Sequence, residues 1–171
     1  MWRHSSARRR GRVHPGGARV QERFLNDYVV VDASLAFKWL VTEVHTDEAN
    51  NLGRLWNSRG IRVAAPYLMP VELTNALHQR VVRGELTVAA ATRRLESLLS
   101  SGLELHQPPH IYGRAMALAR KLGQGATYDA HYLALAETLG CELWTADGRF
   151  YRAVHPVVER VRWVGETAAR G

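Results

Sequence analysis

Four carboxylates sit in this chain where carboxylates can do chemistry: Asp32, Glu72, Asp129 and Asp147. Asp32 follows Val29-Val30-Val31, three β-branched apolar residues of the kind that form a buried parallel strand. Asp147 follows a second strand-like run at 141–145, and Glu72 and Asp129 fall in the first turns of two expected helices. In βαβ units, strand C-termini and helix N-termini share one edge of the sheet, and ligands of open α/β sheets bind there. Two like charges 4 Å apart repel by roughly 4 kcal/mol at an effective dielectric near 20. A cluster of four therefore requires either raised pKa values or a divalent cation. An all-oxygen donor set with no His or Cys suits Mg2+ or Mn2+ rather than zinc.

Each acid also has a purely structural reading. Asp32 and Asp147 suit helix N-caps after strands. Asp129, two residues past the expected cap Thr127, suits the positive end of a helix, and Glu72 suits an exposed first-turn position. Only the combination points to a metal-assisted site.

The elements that must position these residues alternate between the two periods. Strands are expected at 28–32, 61–65, 103–105, 141–145 and 158–163. Helices are expected at 34–41, 45–58, 68–83, 88–99 (capped by Thr87), from Pro108-Pro109 to 122, and at 128–139. Strands interleaved with helices call for an α/β fold with a mostly parallel central sheet covered on both faces.

The chain of 171 residues is long enough for one domain with a sizeable core. Its formal charge of +7 suggests a nucleic-acid binder until the charge is located. Residues 1–26 hold seven Arg against one Glu, which leaves the other 145 residues nearly neutral. Residues 1–26 read as a disordered Arg-rich extension, 27–165 as the domain and 166–171 as a flexible C-terminus. The single Cys141 cannot form an intrachain disulfide and fits a reducing compartment. With no apolar run near 20 residues and no secretory h-region, the expected location is the cytoplasm, away from membranes.

The blocks Val30-Val31-Asp32-Ala33-Ser34, Pro70-Val71-Glu72-Leu73-Thr74-Asn75-Ala76-Leu77, Thr127-Tyr128-Asp129-Ala130-His131-Tyr132-Leu133-Ala134-Leu135-Ala136 and Leu143-Trp144-Thr145-Ala146-Asp147 resemble the four signature blocks of PIN-domain ribonucleases. Within that family the chain looks most like VapC-type toxins of toxin–antitoxin pairs, over residues 28 to 163. The resemblance implies a PIN-like α/β/α sandwich, a homodimer, Mg2+- or Mn2+-dependent cleavage of RNA, and a small cognate antitoxin. By position, Asp32, Glu72, Asp129 and Asp147 match the family's acidic quartet, as both catalytic and metal-holding residues. Ser34 and Thr145 match small hydroxyl positions beside it. Arg149 and Arg152 are placed to contact RNA phosphates, or else are solvated side chains.

Readings from other classes fit less well. An aspartate phosphotransferase shows a second Asp where this chain has Ser34, and no G-x-x-x-x-G-K-[ST] phosphate loop follows any strand. The serious alternative is a non-catalytic PIN-like RNA-binding or scaffold protein. The presence of all four acids argues against it. His131 and the arginines Arg80, Arg83, Arg93 and Arg94 read as surface residues, and Trp39, Trp56 and Trp144 as core.

Overall fold

The computed structural model describes residues 27–167. The expected extension at 1–26 and residues 168–171 of the expected flexible C-terminus lie outside the described residues. Five strands form the sheet: β1 (Tyr28–Val31), β2 (Arg62–Pro66), β3 (Glu104–His106), β4 (Leu143–Thr145) and β5 (Val161–Trp163). All are parallel, in the spatial order β3-β2-β1-β4-β5. Strand β1 is central, and Val29, Val30 and Val31 are buried, as expected for a strand with both faces covered.

Among the described residues, seven α-helices cover the sheet: α1 (Ala33–Leu40), α2 (Thr46–Ser58), α3 (Met69–Val82), α4 (Val88–Leu99), α5 (Ile111–Lys121), α6 (Tyr128–Leu139) and α7 (Gly148–Val154). The first three strands step outward in one direction, and the chain then crosses back to lay β4 on the other side of β1. Since parallel crossovers are almost always right-handed, α1 to α4 belong to one face and α5 and α6 to the other. Helix α6 packs against β1, β2 and β4 and carries α5 on its outside. It is buried on nearly every side (Ala130, Tyr132, Leu133, Ala134, Leu135 and Ala136), so its sequence lacks the stripe of a surface helix.

Some elements differ from the sequence expectation. Helix α7 was not expected, and His45, expected to begin α2, instead precedes it with a left-handed φ of 69°. Thr127 does not cap α6 with its side chain, whereas Thr87 caps α4 as expected by accepting from the Ala90 N–H at 3.1 Å. Trp56 is buried, while Trp39 and Trp144 are half-buried and meet it edge-on. Two of the expected surface arginines bind protein groups. Arg80 pairs with Glu43 and Glu85, and Arg94 donates to the Leu40 carbonyl at 2.6 Å. Among the described residues, no helix is long and apolar enough to cross a membrane.

Candidate active site

The sheet reverses its strand order between β1 and β4, and the C-terminal ends of those two strands open side by side. Val31 lies in register with Trp144, and the Asp32 N–H donates to the Trp144 carbonyl at 3.1 Å. This switch point is where an open α/β sheet leaves a crevice. Asp32 enters it as the N-cap of α1, its Oδ1 accepting the Leu35 N–H at 2.9 Å. Asp147 does the same for α7, accepting from the N–H groups of Arg149 at 2.7 Å and Phe150 at 3.1 Å. The structural and chemical readings of these two acids therefore coexist, because a cap uses one carboxylate oxygen and leaves the other.

Two hydroxyls tie the strand ends together. Ser34 donates to Asp32 Oδ1 at 2.7 Å and accepts the Ala146 N–H at 2.9 Å. Thr145, fully buried, accepts the Asp147 N–H at 2.9 Å and lies 3.2 Å from the Ser34 hydroxyl. Ser34 gives its one hydrogen to Asp32, and the Thr145 hydroxyl also bonds the Asp32 carboxylate.

Glu72, in the first turn of α3, and Asp129, in the first turn of α6, complete the group, and both are half-buried. Burial pushes the Asp32 carboxyl up to about 6, against the opposing hydrogen bonds of Thr145, Leu35 and Ser34, and the charge of Asp129 raises it further. Burial also raises Glu72, with the Tyr132 hydrogen bond opposing and Asp129 adding to the rise. Asp129 is raised by burial and then by the charge of Asp147. Asp129 is thus the common neighbour through which all four acids feel one another. Its own carboxylate accepts no hydrogen bond among the described residues.

Sequence reasoning assigned no role to Tyr132. Its hydroxyl donates to Glu72 from a buried position on α6. The available signal was its i, i+3 spacing from Asp129, which puts both on one helix face. His131 is half-buried rather than a plain surface residue, and its Nδ1 lies 2.7 Å from the Thr127 carbonyl. Arg149 and Arg152 are exposed on α7 next to Asp147.

The donor set suits a hard divalent cation: four carboxylates, of which Asp32, Glu72 and Asp129 are held above the ordinary carboxylate range and Asp129 has no hydrogen-bond partner among the described residues. As the side chains stand, no three His, Cys, Asp or Glu among the described residues are grouped to hold an ion. Glu72 is turned to Tyr132, and Asp32 and Asp147 are each held by a helix N-terminus. A concavity of about 960 Å3 is lined by residues such as Trp39, Arg54, Arg62 and Arg94 and by none of the four acids. It adjoins the start of β2, at the opposite edge of the sheet.

A sequence profile described as the PIN domain matches residues 29–156. Ribonuclease VapC3 of Pyrobaculum aerophilum is 33% identical over 121 residues, covering 70% of this chain and 88% of that protein. Ribonuclease VapC9 of Mycobacterium tuberculosis is 30% identical over 121 residues, covering 71% and 87%. The crystal structure of PAE2754 from Pyrobaculum aerophilum superposes with a TM-score of 0.62 at 25% identity, covering 84% of this chain and 93% of that one. A toxin–antitoxin complex from Klebsiella pneumoniae shares the fold, with a TM-score of 0.56 at 16% identity over 78% of this chain and 95% of that one. With the profile reaching from β1 to β4, across the switch point and all four acids, the chain belongs to the PIN-domain family, and the two sequence relatives are named VapC ribonucleases.

Proposed function

We propose that this chain is a Mg2+- or Mn2+-dependent endoribonuclease, the toxin of a toxin–antitoxin pair, hydrolysing RNA phosphodiester bonds at the edge formed by Asp32, Glu72, Asp129 and Asp147. The observation that carries this reading is the half-buried Asp129 carboxylate, coupled to the other three acids and lacking a hydrogen-bond donor among the described residues. The names of the relatives support the activity, and the toxin–antitoxin neighbour supports a cognate antitoxin. The family resemblance supports a homodimer, and action in the cytoplasm follows from this reading.

The four acids would hold the cation. When bound, it supplies Lewis acidity and neutralises charge developing at the phosphoryl centre. The protein fixes Asp32 through the Leu35 N–H and Ser34, so one oxygen is committed and the other is presented in a set direction. Thr145 and Ser34 hold the Asp147 turn against the Asp32 turn. Arg149 and Arg152, exposed on α7 beside Asp147, would contact RNA phosphates. No side chain is required as a covalent nucleophile.

The test is cleavage of labelled RNA by the purified chain, free of antitoxin, in Mn2+ and in EDTA, alongside Asp32→Asn and Asp129→Asn. Cleavage is expected only for the wild type in Mn2+. Equal cleavage by either variant, or in EDTA, overturns the assignment. RNA binding by the wild type without cleavage in Mn2+ favours a non-catalytic PIN-like binding protein.

A further inference from the structure

Beside the carboxylate edge lies a second, smaller hollow of about 280 Å3, whose lining includes Tyr67, His106, Gln107, Tyr112, Tyr128 and His131. These residues come from the turn after β2, the end of β3 and the turn after it, and the starts of α5 and α6, all at the edge of the sheet that carries the four acids. Tyr128 and His131 bracket Asp129 in the first turn of α6, and His131 is close enough to Glu72 to act on its charge.

We propose that this hollow binds one unpaired nucleobase of the RNA strand next to the phosphate being cut. The proposal rests on the nuclease reading above and adds to it how the strand is held. Among the described residues the lining has no Asp, Glu, Lys or Arg, so it suits a neutral group better than a phosphate or an acidic peptide. Its volume, at the low end for ligand pockets, suits a single ring system. Tyr67, Tyr112 and Tyr128 are 57%, 51% and 58% exposed, an unusual amount of aromatic surface to leave in water around one small hollow. Aromatic faces of this kind stack unpaired bases.

The polar groups suit the edge of a base. A carbonyl only accepts, so His131 Nδ1 carries the hydrogen directed at the Thr127 carbonyl, 2.7 Å away. That contact turns the Nε2 side of the ring away from Thr127 and leaves it to meet the edge of a base. His131 also meets Tyr112 edge-on, ring centres 5.8 Å apart, and the Gln107 amide donates to the Tyr112 hydroxyl. Both contacts hold the Tyr112 ring in place, which lowers the ordering cost of stacking on it.

The test uses the full chain carrying Asp32→Asn, in EDTA, so that no strand is cut. A short single-stranded RNA with one 2-aminopurine is titrated, and its fluorescence and affinity are read as the label is moved along the strand. Quenching at one strand position is expected, with affinity falling about tenfold or more for Tyr112→Ala and Tyr128→Ala and largely kept for Tyr112→Phe. Absence of quenching with the parent protein overturns the proposal, as does unchanged quenching in both alanine variants. Sedimentation of Tyr112→Ala covers the competing occupant. Conversion of a dimer to a monomer with quenching intact assigns the hollow to contact between copies and also overturns the proposal. Because this readout needs no cleavage, quenching by a protein whose wild type never cuts RNA sinks the nuclease reading and leaves the base site standing.

Discussion

The hydroxyls of Ser34 and Thr145 lie 3.2 Å apart across 111 residues of sequence. They join the turn after β1 to the turn after β4, and each also serves the backbone of the opposite or following turn. Ser34→Ala removes a donor to Asp32 and leaves the Ala146 N–H without its acceptor, and Thr145→Val does the same to the Asp147 N–H. An unsatisfied buried polar group costs about 1–3 kcal/mol. Urea denaturation should show a loss in that range for each variant, and RNA cleavage should fall with it. Stabilities within 0.5 kcal/mol or so of wild type for both, the ordinary range for uninvolved surface sites, would show that the bridge contributes nothing.

The raised Asp32 carboxyl makes stability depend on pH in an identifiable window. Its folded value of about 6 lies above the ordinary 3.8, so between those values the folded state binds more protons than the unfolded one. Stability therefore falls as pH rises through that window, and the full cost is present above it. About two pKa units correspond to a cost on the order of 3 kcal/mol. Asp32→Asn keeps a good cap and removes the charge. In EDTA it should match the wild type near pH 4 and become progressively more stable than it towards pH 7.5. A difference that stays flat across that range means Asp32 is not held in a raised state.

Central parts of this arrangement were legible because local chemistry dictates them. Three consecutive valines can only be a strand covered on both faces, and an acid followed by small residues at its end reads as a cap at the ligand-binding edge. Helix α7 was hidden because seven residues beginning with Gly148 show no useful period. Strand β4 begins at Leu143, not Cys141, because pairing with β1 and β5, not composition, sets its length. The Tyr132–Glu72 bond joins residues 60 apart and depends on where the sheet, with α6 packed on it, brings the first turn of α3. Arg80 and Arg94 looked like solubilising charges because their partners, Glu43 and the Leu40 carbonyl, are distant in sequence.

Metal should stabilise the folded chain by mass action. Binding only to the folded state adds about 2.7 kcal/mol at a hundredfold excess over Kd. Thermal melts should shift upward with each increase in Mn2+, and Asp129→Asn should blunt the shift, since Asp129 is the acid to which the other three couple. The variant should melt above the wild type in EDTA, having lost a repelling charge. A wild-type melt unmoved by millimolar Mn2+ would count against a metal site here.

Tyr132 provides the sharpest separation between positioning and chemistry. Among the described residues its hydroxyl is the one hydrogen-bond donor at Glu72, and that bond opposes the upward pull of burial on the Glu72 carboxyl. Tyr132→Phe keeps the buried ring and its packing on α6 but removes the donor, so Glu72 should become harder to ionise. If cleavage requires ionised Glu72, the acid limb of the pH–rate profile must move to higher pH, while activity well above that limb is largely kept. A change of about 1 kcal/mol in stability is expected from the lost hydrogen bond and can be read separately by urea denaturation. A profile that drops uniformly at every pH with its limb unmoved would mean that Tyr132 supports the fold alone and that Glu72 does not titrate in the reaction.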